Sequence, residues 1–585
     1  MRPPQLRRRP VGETCSSLHG HRVLQRIYAA RGVDSAAQLD YRLAAILPPQ
    51  LGGLERACAI LEQAVRADRR IVVVGDFDCD GATGTAVAVR GLRLLGARCV
   101  DYGVPNRATH GYGLSPALVD DLLAQRPELL VTVDNGVAAH AGIEAARRHG
   151  IGVVVTDHHL PGPTLPAADA IVNPNLDGDA FPSKALAGVG VVFYLLLALR
   201  ARLRASGWFA ERACAEPDLS CLLDLVALGT VADLVPLDYN NRILVEAGLR
   251  RIRAGRACAG VLALFAGAKR ESAKATAADL GFAIAPRVNA AGRLDDIRIG
   301  IECLLSDDDA GARDLAATLG AINAQRRDLQ ADMVGQAESV VQQWIARHGA
   351  GTLPIGVVLY EPQWHHGVVG LVASRLKDLL NRPVIACAPA HAVDGGAAPL
   401  AAGEIKASGR SVAGFHLRDA LAEIDAQQPG LLHKFGGHAM AAGLSLDRAG
   451  IEPLAAAFDG VARRRLGAEQ LDAVLWTDGE LEPADFSLDL AQALRHGGPW
   501  GQAFPEPLFD GEFEIERWRV VGEAHLRLTL RCAGRAAPLE AILFDGWTGA
   551  PPPRRIRAAF QLEIDEWSGA PTLRLLLRHL AAVDA

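Results

Sequence analysis

Short apolar runs alternate with amphipathic stretches between Ile71 and Asn173. The intervening stretches, such as Ala86–Leu95 and Ala139–His149, have the spacing of helices. The apolar runs are rich in β-branched residues, and four of them end in polar, mostly acidic clusters; they lie at 71–78, 99–105, 129–136, 151–159 and 170–174. Near-continuous apolar strands that alternate with helices predict a parallel sheet covered on both faces.

The second half of the chain shows three further patterns. Helical spacing without proline continues from about Asp309 to His348, a length that predicts a connector between two lobes. A second α/β lobe is predicted from the strand-like runs at 355–360, 383–388 and 401–406. Short strand-like runs from about residue 500 to the end predict a small all-β barrel or sandwich.

Composition narrows the class of protein. With 585 residues and 50% apolar residues, the chain is expected to form about three or four domains with sizeable cores. The longest wholly apolar run, Ala185–Leu199, is too short to span a bilayer, so we expect no membrane association. The arginines at positions 7–9 lack an apolar segment behind them, so no secretory signal is expected. Ten scattered cysteines without a CxxC pair favour the reducing cytoplasm.

A net charge of -6 argues against general adhesion to nucleic acid but is compatible with a local basic groove. One set of acidic residues lies where predicted strands or helices end. They are Asp76, Asp78 and Asp80 in GDFDCDGATG, Asp134 in VDNG, Asp157 with His158 and His159 in TDHH, and Asp233 in LGTVADLVPL, where a helix is predicted to end. The carboxyl ends of parallel strands form the ligand-binding edge of such a sheet, so these groups are expected to converge.

So many carboxylates cannot share one crevice without cations, because like charges at short range force protonation or compensation. Oxygen ligands with one or two imidazoles suit Mn²⁺ or Mg²⁺, and two such ions about 4 Å apart can activate water for phosphoester hydrolysis. Individually, Asp76 is compatible with a helix cap and Asp157 with orienting an imidazole. Because three separate strand ends carry such groups, we predict a metal site.

GDFDCDGATG, VDNG, TDHH and LGTVADLVP, taken in order, resemble the four motifs of the DHH phosphoesterase superfamily, and most closely its bacterial single-strand-specific 5′→3′ exonucleases. The resemblance extends over nearly the whole chain through PNRATHGYG, APRVNAAGR, WHHGVVGLVASRL, ASGRS and KFGGHAMAAG, the last of which is similar to the signature of the DHH-associated domain. It implies an α/β fold in which a DHH-type parallel-sheet lobe is joined by a long helix to a second α/β lobe, the DHH-associated domain, followed by a C-terminal all-β OB-like barrel. The implied boundaries are 1–50 for an N-terminal extension and helical lead-in, 51–305 for the DHH domain, 306–350 for the connector helix, 351–465 for the DHH-associated domain and 466–585 for the OB-like domain.

The resemblance also implies the roles of the acidic cluster. Asp134 would bridge two ions of Mn²⁺ or Mg²⁺; Asp80, His158 and Asp233 would complete one site, and Asp78, with Asp76, the other. His159 and Asp157 would be catalytic residues outside the ligand shell, with His159 stabilising charge on the phosphoryl group or the leaving oxygen. Cys79, between two of the carboxylates, is expected to be an inward-packed thiol.

Substrate binding requires contacts with phosphate, and the planar guanidinium of arginine can bind two phosphate oxygens at once. Candidates in the motifs are Arg107, Arg287, Asn289, Arg293, Ser374, Arg375, Ser408, Arg410, Gly436, Gly437 and His438. Taken alone, each arginine is more commonly a solvated or ion-paired surface group. Gly436–Gly437 is expected to be a turn whose amides approach phosphate. Tyr112, Trp364 and Phe435 are candidate base-stacking residues, although core packing is the commoner fate of an aromatic side chain.

The implied function is a single-stranded-DNA-specific 5′→3′ exonuclease that releases 5′-mononucleotides in DNA repair and recombination. The implied setting is a cytoplasmic monomer that works with single-stranded DNA, single-strand-binding protein and a RecQ-type helicase. Two alternatives stay open. A phosphodiesterase acting on short oligonucleotides or cyclic dinucleotides needs only the two α/β lobes, so the length of the chain argues against it. A catalytically silent single-strand-binding scaffold would be expected to have lost ligands that are all present here.

Overall fold

A computed structural model describes residues 4–12, 18–106, 109–349, 353–390, 403–566 and 569–583. The chain divides into two compact units. The larger unit contains residues 9–323 and 478–585, and the smaller unit contains residues 324–477 together with the N-terminal strand that ends at residue 8.

The described residues contain strands and helices with the following bounds. The strands are β1 (Gln5–Arg8), β2 (Ile71–Val74), β3 (Val100–Gly103), β4 (Leu129–Val133), β5 (Gly152–Thr156), β6 (Ala170–Val172), β7 (Val357–Tyr360), β8 (Val384–Pro389), β9 (Glu404–Arg410), β10 (Lys434–Gly437), β11 (Ala441–Asp447), β12 (Val474–Thr477), β13 (Phe509–Val521), β14 (His525–Arg531), β15 (Leu539–Leu543), β16 (Arg555–Asp565) and β17 (Thr572–Ala582). The helices are α1 (Arg22–Ala29), α2 (Leu54–Arg66), α3 (Cys79–Leu94), α4 (Pro116–Leu122), α5 (His140–Arg148), α6 (Gly188–Ala205), α7 (Trp208–Glu211), α8 (Leu223–Ala232), α9 (Tyr239–Arg253), α10 (Ala259–Gly267), α11 (Ala277–Asp279), α12 (Ala285–Leu294), α13 (Arg298–Leu305), α14 (Asp309–His348), α15 (Val369–Leu380), α16 (Leu417–Gln427), α17 (Ile451–Arg465) and α18 (Leu488–His496).

The first sheet of the larger unit is wholly parallel, with the strand order β3-β2-β4-β5-β6. All four residues of β2 and all five of β4 are buried. Ile71 and Val73 pack into a core that includes α3 and α6, whereas Val72 and Val74 pack into a second core with α4 and α5. Successive side chains of a strand point to opposite faces, so both faces are covered. The prediction of a parallel sheet between two helical layers is confirmed.

The long apolar run Ala185–Leu199 includes the first two-thirds of α6, whose residues from Gly188 to Leu196 are buried. Within the described ranges, no helix is both long and apolar enough to cross a bilayer. Helix α6 lies in the interior of the larger unit, where it packs against α3 and α8.

The C-terminal strands of the larger unit form a closed barrel in the order β13-β14-β15-β17-β16, with β16 pairing back onto β13. Leu526, Leu528 and Leu530 are buried and alternate with the exposed Arg527 and Arg531, as expected for a strand with one face in a core. Of the two architectures predicted from the sequence, the barrel is the correct one.

An ion pair ties the N-terminal helical region to the segment that leads into the barrel. The guanidinium Nη1 of Arg31 lies 2.7 Å from Oδ1 of Asp478, and both side chains are almost completely buried. Asp478 also accepts a hydrogen bond from the backbone N–H of Leu508 (3.0 Å), and Arg31 lies over the ring of Trp500. Both charges are therefore compensated, which burial requires.

The smaller unit contains a mixed sheet in the order β10-β11-β9-β8-β7, in which only β7 and β8 run parallel. Helices α15, α16 and α17 pack against this sheet, and β1 pairs with β12 in a separate parallel ribbon. Helix α14, forty residues long, begins in the larger unit and ends in the smaller one. The predicted second α/β lobe and the long connecting helix are thus present.

Candidate metal centre

The loop after β2 carries the first three carboxylates. Asp78 caps α3, because its Oδ1 accepts a hydrogen bond from the N–H of Gly81 (3.0 Å). The helix cap considered for Asp76 therefore belongs to Asp78, and Asp76 is buried next to it. Gly81 has to be glycine, since a Cβ there would lie only 2.6 to 2.8 Å from the backbone of Asp76. The tight turn brings Asp76, Asp78 and Asp80 to one end of the sheet.

Asp134 follows β4 in a left-handed backbone conformation, with φ at +62°. This conformation is uncommon for a residue with a side chain and is maintained by the surrounding structure. The side-chain amide of Asn135 donates to the carbonyl oxygens of Val74 (3.0 Å) and Val133 (2.9 Å), which joins the ends of β2 and β4. A Cβ on Gly188 would lie 2.5 Å from Cβ of Asp134, so α6 begins directly beneath it.

The end of β5 carries Asp157, His158 and His159. Asp157 is buried and accepts hydrogen bonds from the N–H of Val137 (2.9 Å) and from Nδ1 of His159 (2.8 Å). The role considered for Asp157, orienting an imidazole, is therefore observed. Two asparagines that follow β6 support the histidines: Asn173 donates to the carbonyl oxygen of His159, and Asn175 to that of His158.

Asp80 and Asp233 reach the same place from helices. The N-terminus of α6 donates two hydrogen bonds to Asp80, from the N–H of Gly188 (2.6 Å) and of Val189 (2.9 Å). Asp233 is the C-terminal cap of α8, as its motif predicted. Nε2 of His158 lies 3.0 Å from Oδ1 of Asp134 and 3.5 Å from Oδ2 of Asp233.

Among the described residues, three overlapping groups offer ligand atoms within 4.8 Å of one another. They are Asp76, Asp78 and Asp134; Asp80, His158 and Asp233; and Asp134, His158 and His159. We call the six residues other than His159 the metal cluster, and His159 adjoins it. The structure therefore brings together all six residues predicted as ligands, and Asp134 belongs to two of the groups.

The electrostatics of the metal cluster are those of crowded, buried anions. Burial, and then the charge of Asp78, raises the pKa of Asp80 to about 7. Burial and the neighbouring carboxylates also raise the pKa values of Asp134 and Asp233 well above the usual range. Cations in the cluster would offset this repulsion. Because the donors are oxygens and imidazole nitrogens, the residues fit Mn²⁺ or Mg²⁺.

Asp157 and His159 behave differently from the ligands. Burial alone would raise the pKa of Asp157, but its hydrogen bond with His159 and the charge of that ring lower it. Burial likewise opposes protonation of His159, yet the bond to Asp157 and nearby carboxylates raise the pKa of the imidazole to about 9. Without metal, these contacts therefore favour the protonated form of His159.

The candidates in APRVNAAGR lie on α12, next to the first acidic loop. Oδ1 of Asn289 accepts a hydrogen bond from the N–H of Cys79 (2.8 Å), and Arg287 donates to the carbonyl oxygen of Ala283. Arg293 lies in the last turn of the same helix. Cys79 is buried, as predicted. Arg107 falls outside the described residues.

The remaining candidates lie in the smaller unit. Nη1 of Arg410 donates to Oγ of Ser408 (3.0 Å) on β9, and Gly370 of α15 lies against both side chains. Ser374 is one helical turn after Gly370 and so shares its face, whereas Arg375 is exposed. No acidic partner of Arg410 is found within the described ranges.

The prediction of a turn at Gly436–Gly437 is wrong. Both glycines belong to β10, opposite Gly443 and Ala442 of β11, and His438 begins the connection between the two strands. Gly437 has φ at +139°, and a Cβ there would lie 2.4 Å from the carbonyl oxygen of Ala441. Glycine is needed here for close strand packing rather than for a turn.

Several supporting residues were missed by the sequence analysis. They are Gly188, Asn135, Asn173 and Asn175, whose hydrogen bonds position the residues of the metal cluster and His159. The asparagines had a detectable signal, because they follow apolar runs in VDNG and IVNPN. Gly188 had no such signal in the sequence, since it lies 108 residues from Asp80, to which its N–H donates a hydrogen bond.

Comparison with known proteins agrees with this geometry. The DHH family N-terminal domain matches residues 70–230, the DHHA1 domain residues 354–463 and the RecJ OB domain residues 477–579. The single-stranded-DNA-specific exonuclease RecJ of Dickeya dadantii (strain 3937) is 51% identical over 580 residues, covering 98% of this chain and 99% of that protein. The chain belongs to the RecJ family.

Other RecJ proteins agree with this membership. RecJ of Escherichia coli (strain K12) is 49% identical over 581 residues, covering 98% of this chain and 99% of that protein. The crystal structure of RecJ from Thermus thermophilus in complex with Mn²⁺ is similar, with a TM-score of 0.77 and 32% identity, over 96% of this chain and 76% of that one. The same protein in complex with Mg²⁺ gives a TM-score of 0.72. The predicted fold and the predicted DHH exonuclease family are confirmed, and these RecJ structures hold the two metals that the donor set favours.

Gly229 offers a test of how the RecJ-type ligands depend on helix packing. A Cβ on this residue of α8 would lie 2.2 Å from Oγ1 of Thr83 and 2.9 Å from Oδ1 of Asp80. Gly229→Ala should therefore displace α8 from α3 and move Asp233, because packed cores do not absorb an added methyl group freely. We expect the affinity for Mn²⁺, measured by calorimetric titration, to fall about 10-fold.

Gly320→Ala is the matched control, because a Cβ on this residue of α14 would meet nothing within 4 Å. That change should leave the Mn²⁺ affinity as it is and stabilise the helix by roughly 0.5–1 kcal/mol. Equal Mn²⁺ affinities of the Gly229→Ala variant and the unaltered protein would show that α8 does not position Asp233.

Proposed function

We propose that this RecJ-family chain is an exonuclease specific for single-stranded DNA, which uses two ions of Mn²⁺ or Mg²⁺ and releases 5′-mononucleotides from the 5′ end. The observation that carries the proposal is the convergence of six metal-ligating side chains at one edge of the parallel sheet. The RecJ relatives are single-stranded-DNA-specific exonucleases by name and match this chain over 98% of its length. Repair and recombination of DNA are the processes that this activity would serve.

In this proposal Asp134 would contribute to both ion sites, since it groups with Asp76 and Asp78 and its Oδ1 lies 3.0 Å from Nε2 of His158, which groups with Asp80 and Asp233. Asp80, His158 and Asp233 would hold one ion, and Asp76 with Asp78 would hold the other. When bound, such ions lower the pKa of a water molecule and stabilise charge on the attacking and leaving oxygens. The protein would contribute a rigid frame, because side-chain-to-backbone hydrogen bonds, from Asn135 to Val74 and from Gly188 to Asp80, join the strand and helix ends that carry these residues.

His159 and Asp157 would act on the phosphoryl group. The carboxylate of Asp157 keeps a proton on Nδ1 of His159, which fixes the ring. The hydrogen bond with Asp157 raises the pKa of His159 and so favours the protonated ring, which can donate from its other ring nitrogen. It would thereby stabilise the negative charge that develops on the phosphoryl group or the leaving oxygen.

Phosphate binding in the smaller unit would centre on Arg410. Its guanidinium is partly buried, and burial lowers its pKa because the charged form loses hydration. A bound anion would offset this loss. Ser408 lies beside it, and Gly436 of β10 lies two strands away across Gly443. We propose that Arg410, Ser374, Ser408 and this glycine-lined edge bind backbone phosphates, with Arg107, Arg287, Arg293, Arg375 and His438 as further contacts of the strand.

The setting of the enzyme is also a proposal. We infer a cytoplasmic monomer that acts with single-strand-binding protein and a RecQ-type helicase. These partners are supported by the family resemblance alone, and co-purification with the chain from cell extract tests them.

The decisive test is digestion of a single strand labelled at its 5′ or its 3′ end, with Mn²⁺, Mg²⁺ or a chelator present. We expect metal-dependent release of the 5′ label as mononucleotide while the 3′ label stays on long fragments, and little digestion of a blunt duplex of the same sequence. Exclusive hydrolysis of dinucleotides would favour the small-substrate phosphodiesterase. Absence of any metal-dependent hydrolysis would favour the silent scaffold.

A further inference from the structure

The first turn of α3 lies between two carboxylates of the metal cluster, Asp78 and Asp80. The first N–H groups of a helix have no partner within the helix. Asp78 accepts a hydrogen bond from one of them, the N–H of Gly81 (3.0 Å). The N–H of Cys79 is bound from a different helix, because Oδ1 of Asn289 on α12 accepts it at 2.8 Å. The backbone between the two carboxylates is therefore held from outside its own segment.

A second contact holds α12 against the same loop. Gly292 lies three residues after Asn289 and therefore on the same face of the helix. A Cβ on Gly292 would lie 1.8 Å from the carbonyl oxygen of Phe77, so the backbone of α12 meets the backbone of the loop with no room for a side chain. Helix α12 thus contacts the loop directly before and directly after Asp78.

The face that α12 presents to the loop depends on an irregular turn. Leu280–Ile284 forms a single π turn that continues directly into α12. A π turn adds one residue to a helix, and each residue rotates a helix by about 100°. The turn is packed against α8, since a Cβ on Gly281 would lie 3.2 Å from Cγ1 of Val231. The added residue therefore sets which side chains of α12 meet the loop.

The loop requires such support because its own side chains repel one another. Asp76, Asp78 and Asp80 are three carboxylates in one short turn, and burial, followed by the charge of Asp78, raises the pKa of Asp80. Without bound cations, this repulsion favours an opened loop. A hydrogen bond from the backbone to a neutral amide opposes the opening without adding charge.

We propose that Asn289 is a positioning residue, whose side-chain oxygen holds the backbone between Asp78 and Asp80 in the conformation that receives a metal ion. Within the described ranges, the hydrogen bond from Cys79 is the one that the side chain of Asn289 makes, so this role differs from the substrate contact expected from the sequence. Gly292 contributes by allowing α12 to approach. The inference rests on the proposed function in taking Asp78 and Asp80 as ligands, and it deepens that function by naming what orders them.

Asn289→Ala removes the acceptor. In the full-length protein, we expect the affinity for Mn²⁺, measured by calorimetric titration, to fall about 10-fold, because binding must then also order the loop. With chelator present, the backbone amides of residues 76–83 should exchange with deuterium faster than in the unaltered protein. At saturating Mn²⁺, the KM for a single strand should not change, since Asn289 does not contact the strand in this proposal.

Asn289→Asp separates the acceptor oxygen from the amide N–H groups. A carboxyl oxygen can accept the same bond from Cys79, so this variant should keep the slow exchange of residues 76–83 and an affinity for Mn²⁺ close to that of the unaltered protein. Its ionised side chain cannot donate and would repel phosphate. A contact between Asn289 and DNA would therefore make the KM for the strand higher in Asn289→Asp than in Asn289→Ala.

Gly292→Ala tests the second contact without altering Asn289. The added methyl group cannot be accommodated between two backbones, so the affinity for Mn²⁺ should fall here as well. Asn240→Ala is the matched control, because Asn240 on α9 also accepts a hydrogen bond from a distant backbone N–H, that of Leu47 (3.1 Å), but lies outside the metal cluster. It should lower the unfolding temperature and leave the Mn²⁺ affinity unchanged.

The outcomes distinguish the inference from the proposed function. If the unaltered protein binds no Mn²⁺, the ligands are wrongly assigned and the proposed function fails. If it binds Mn²⁺ and Asn289→Ala equals it in affinity and in exchange, Asn289 does not position the loop, although the exonuclease function stands. Equal losses of affinity in Asn289→Ala and Asn289→Asp would also overturn the inference, as would a raised KM for DNA with unchanged affinity for Mn²⁺.

Discussion

Replacing Asp134 with alanine should reduce the hydrolysis of single-stranded DNA at least about 1000-fold while leaving DNA binding measurable. Asp134 groups with Asp76 and Asp78 and also lies 3.0 Å from His158, a member of the group with Asp80 and Asp233, so its loss should affect both proposed ion sites. Stabilisation by the metals contributes several kcal/mol to such a reaction, and each 1.4 kcal/mol corresponds to a factor of about ten in rate. The rate is measured with end-labelled strands in saturating Mn²⁺, and binding by fluorescence anisotropy in the presence of chelator.

Asp120→Ala serves as the control for this variant, because Asp120 is an exposed carboxylate on α4 outside the metal cluster. It should retain full activity. Hydrolysis by the Asp134→Ala variant at a rate near that of the control would refute the assignment of Asp134 as a shared ligand. Loss of DNA binding together with activity would instead indicate that the fold has been damaged, which circular dichroism would reveal.

Without metal, the free energy of unfolding should fall as the pH rises from about 4 towards 7. Asp80 titrates near 3.8 when unfolded, but its pKa is raised to about 7 in the folded protein, first by burial and then by Asp78. Between these values the folded state binds a proton that the unfolded state has released, so stability decreases with increasing pH. At about 1.4 kcal/mol per pKa unit, the loss shared by Asp80 and the carboxylates around it is on the order of a few kcal/mol. Asp134 and Asp233 act in the same direction.

Asp157 and His159 contribute little to the change in the free energy of unfolding between about pH 4 and 6.5. Asp157 has a lowered pKa, so its contribution is lost only below about 3.8. His159 has a raised pKa of about 9, so its contribution is constant below 6.5 and is lost above it. Thermal unfolding with chelator at pH 4.5, 5.5 and 6.5 therefore reports mainly on the ligands.

Asp80→Asn should flatten this pH dependence, and Asp120→Asn should preserve it. Adding Mn²⁺ at neutral pH should raise the unfolding temperature of the unaltered protein, because a ligand that binds only the folded state stabilises it. An equally steep pH dependence in Asp80→Asn would show that repulsion in the metal cluster is not its cause.

The convergence of the candidate ligands could be predicted from the sequence because of a rule about parallel sheets. Asp78, Asp134 and His158 each follow an apolar run, and the carboxyl ends of parallel strands share one edge. Their convergence in space follows from the strand pattern alone. Asp233 was predictable from its motif, which places it where α8 ends.

The details that hold the ligands depend on contacts between distant parts of the chain. The surroundings of Asp134 depend on the bond from Asn135 to Val74 on β2 and on the close approach of Gly188 at the start of α6. The two amides that α6 donates to Asp80 come from residues more than a hundred positions away. Such pairings arise only when helices pack, so a pattern of neighbouring residues does not contain them.

The error at Gly436–Gly437 has a similar origin. Paired glycines are a strong local signal for a turn. In β10, however, Gly437 is required because the carbonyl oxygen of Ala441 occupies the space of a side chain. Close packing of strands and a turn can each require glycine. The two cases can be distinguished only when the strand that pairs with the glycines is known.

The route of the backbone between the two units bears on limited proteolysis. The chain passes from one unit to the other at three places, after residues 8, 323 and 477. A single cut within α14 would therefore leave each fragment with segments in both units, since the N-terminal fragment supplies β1 to the ribbon with β12 and the C-terminal fragment supplies the barrel. Cleavage of the long helix would thus yield two pieces on a denaturing gel from a particle that still migrates as one under native conditions.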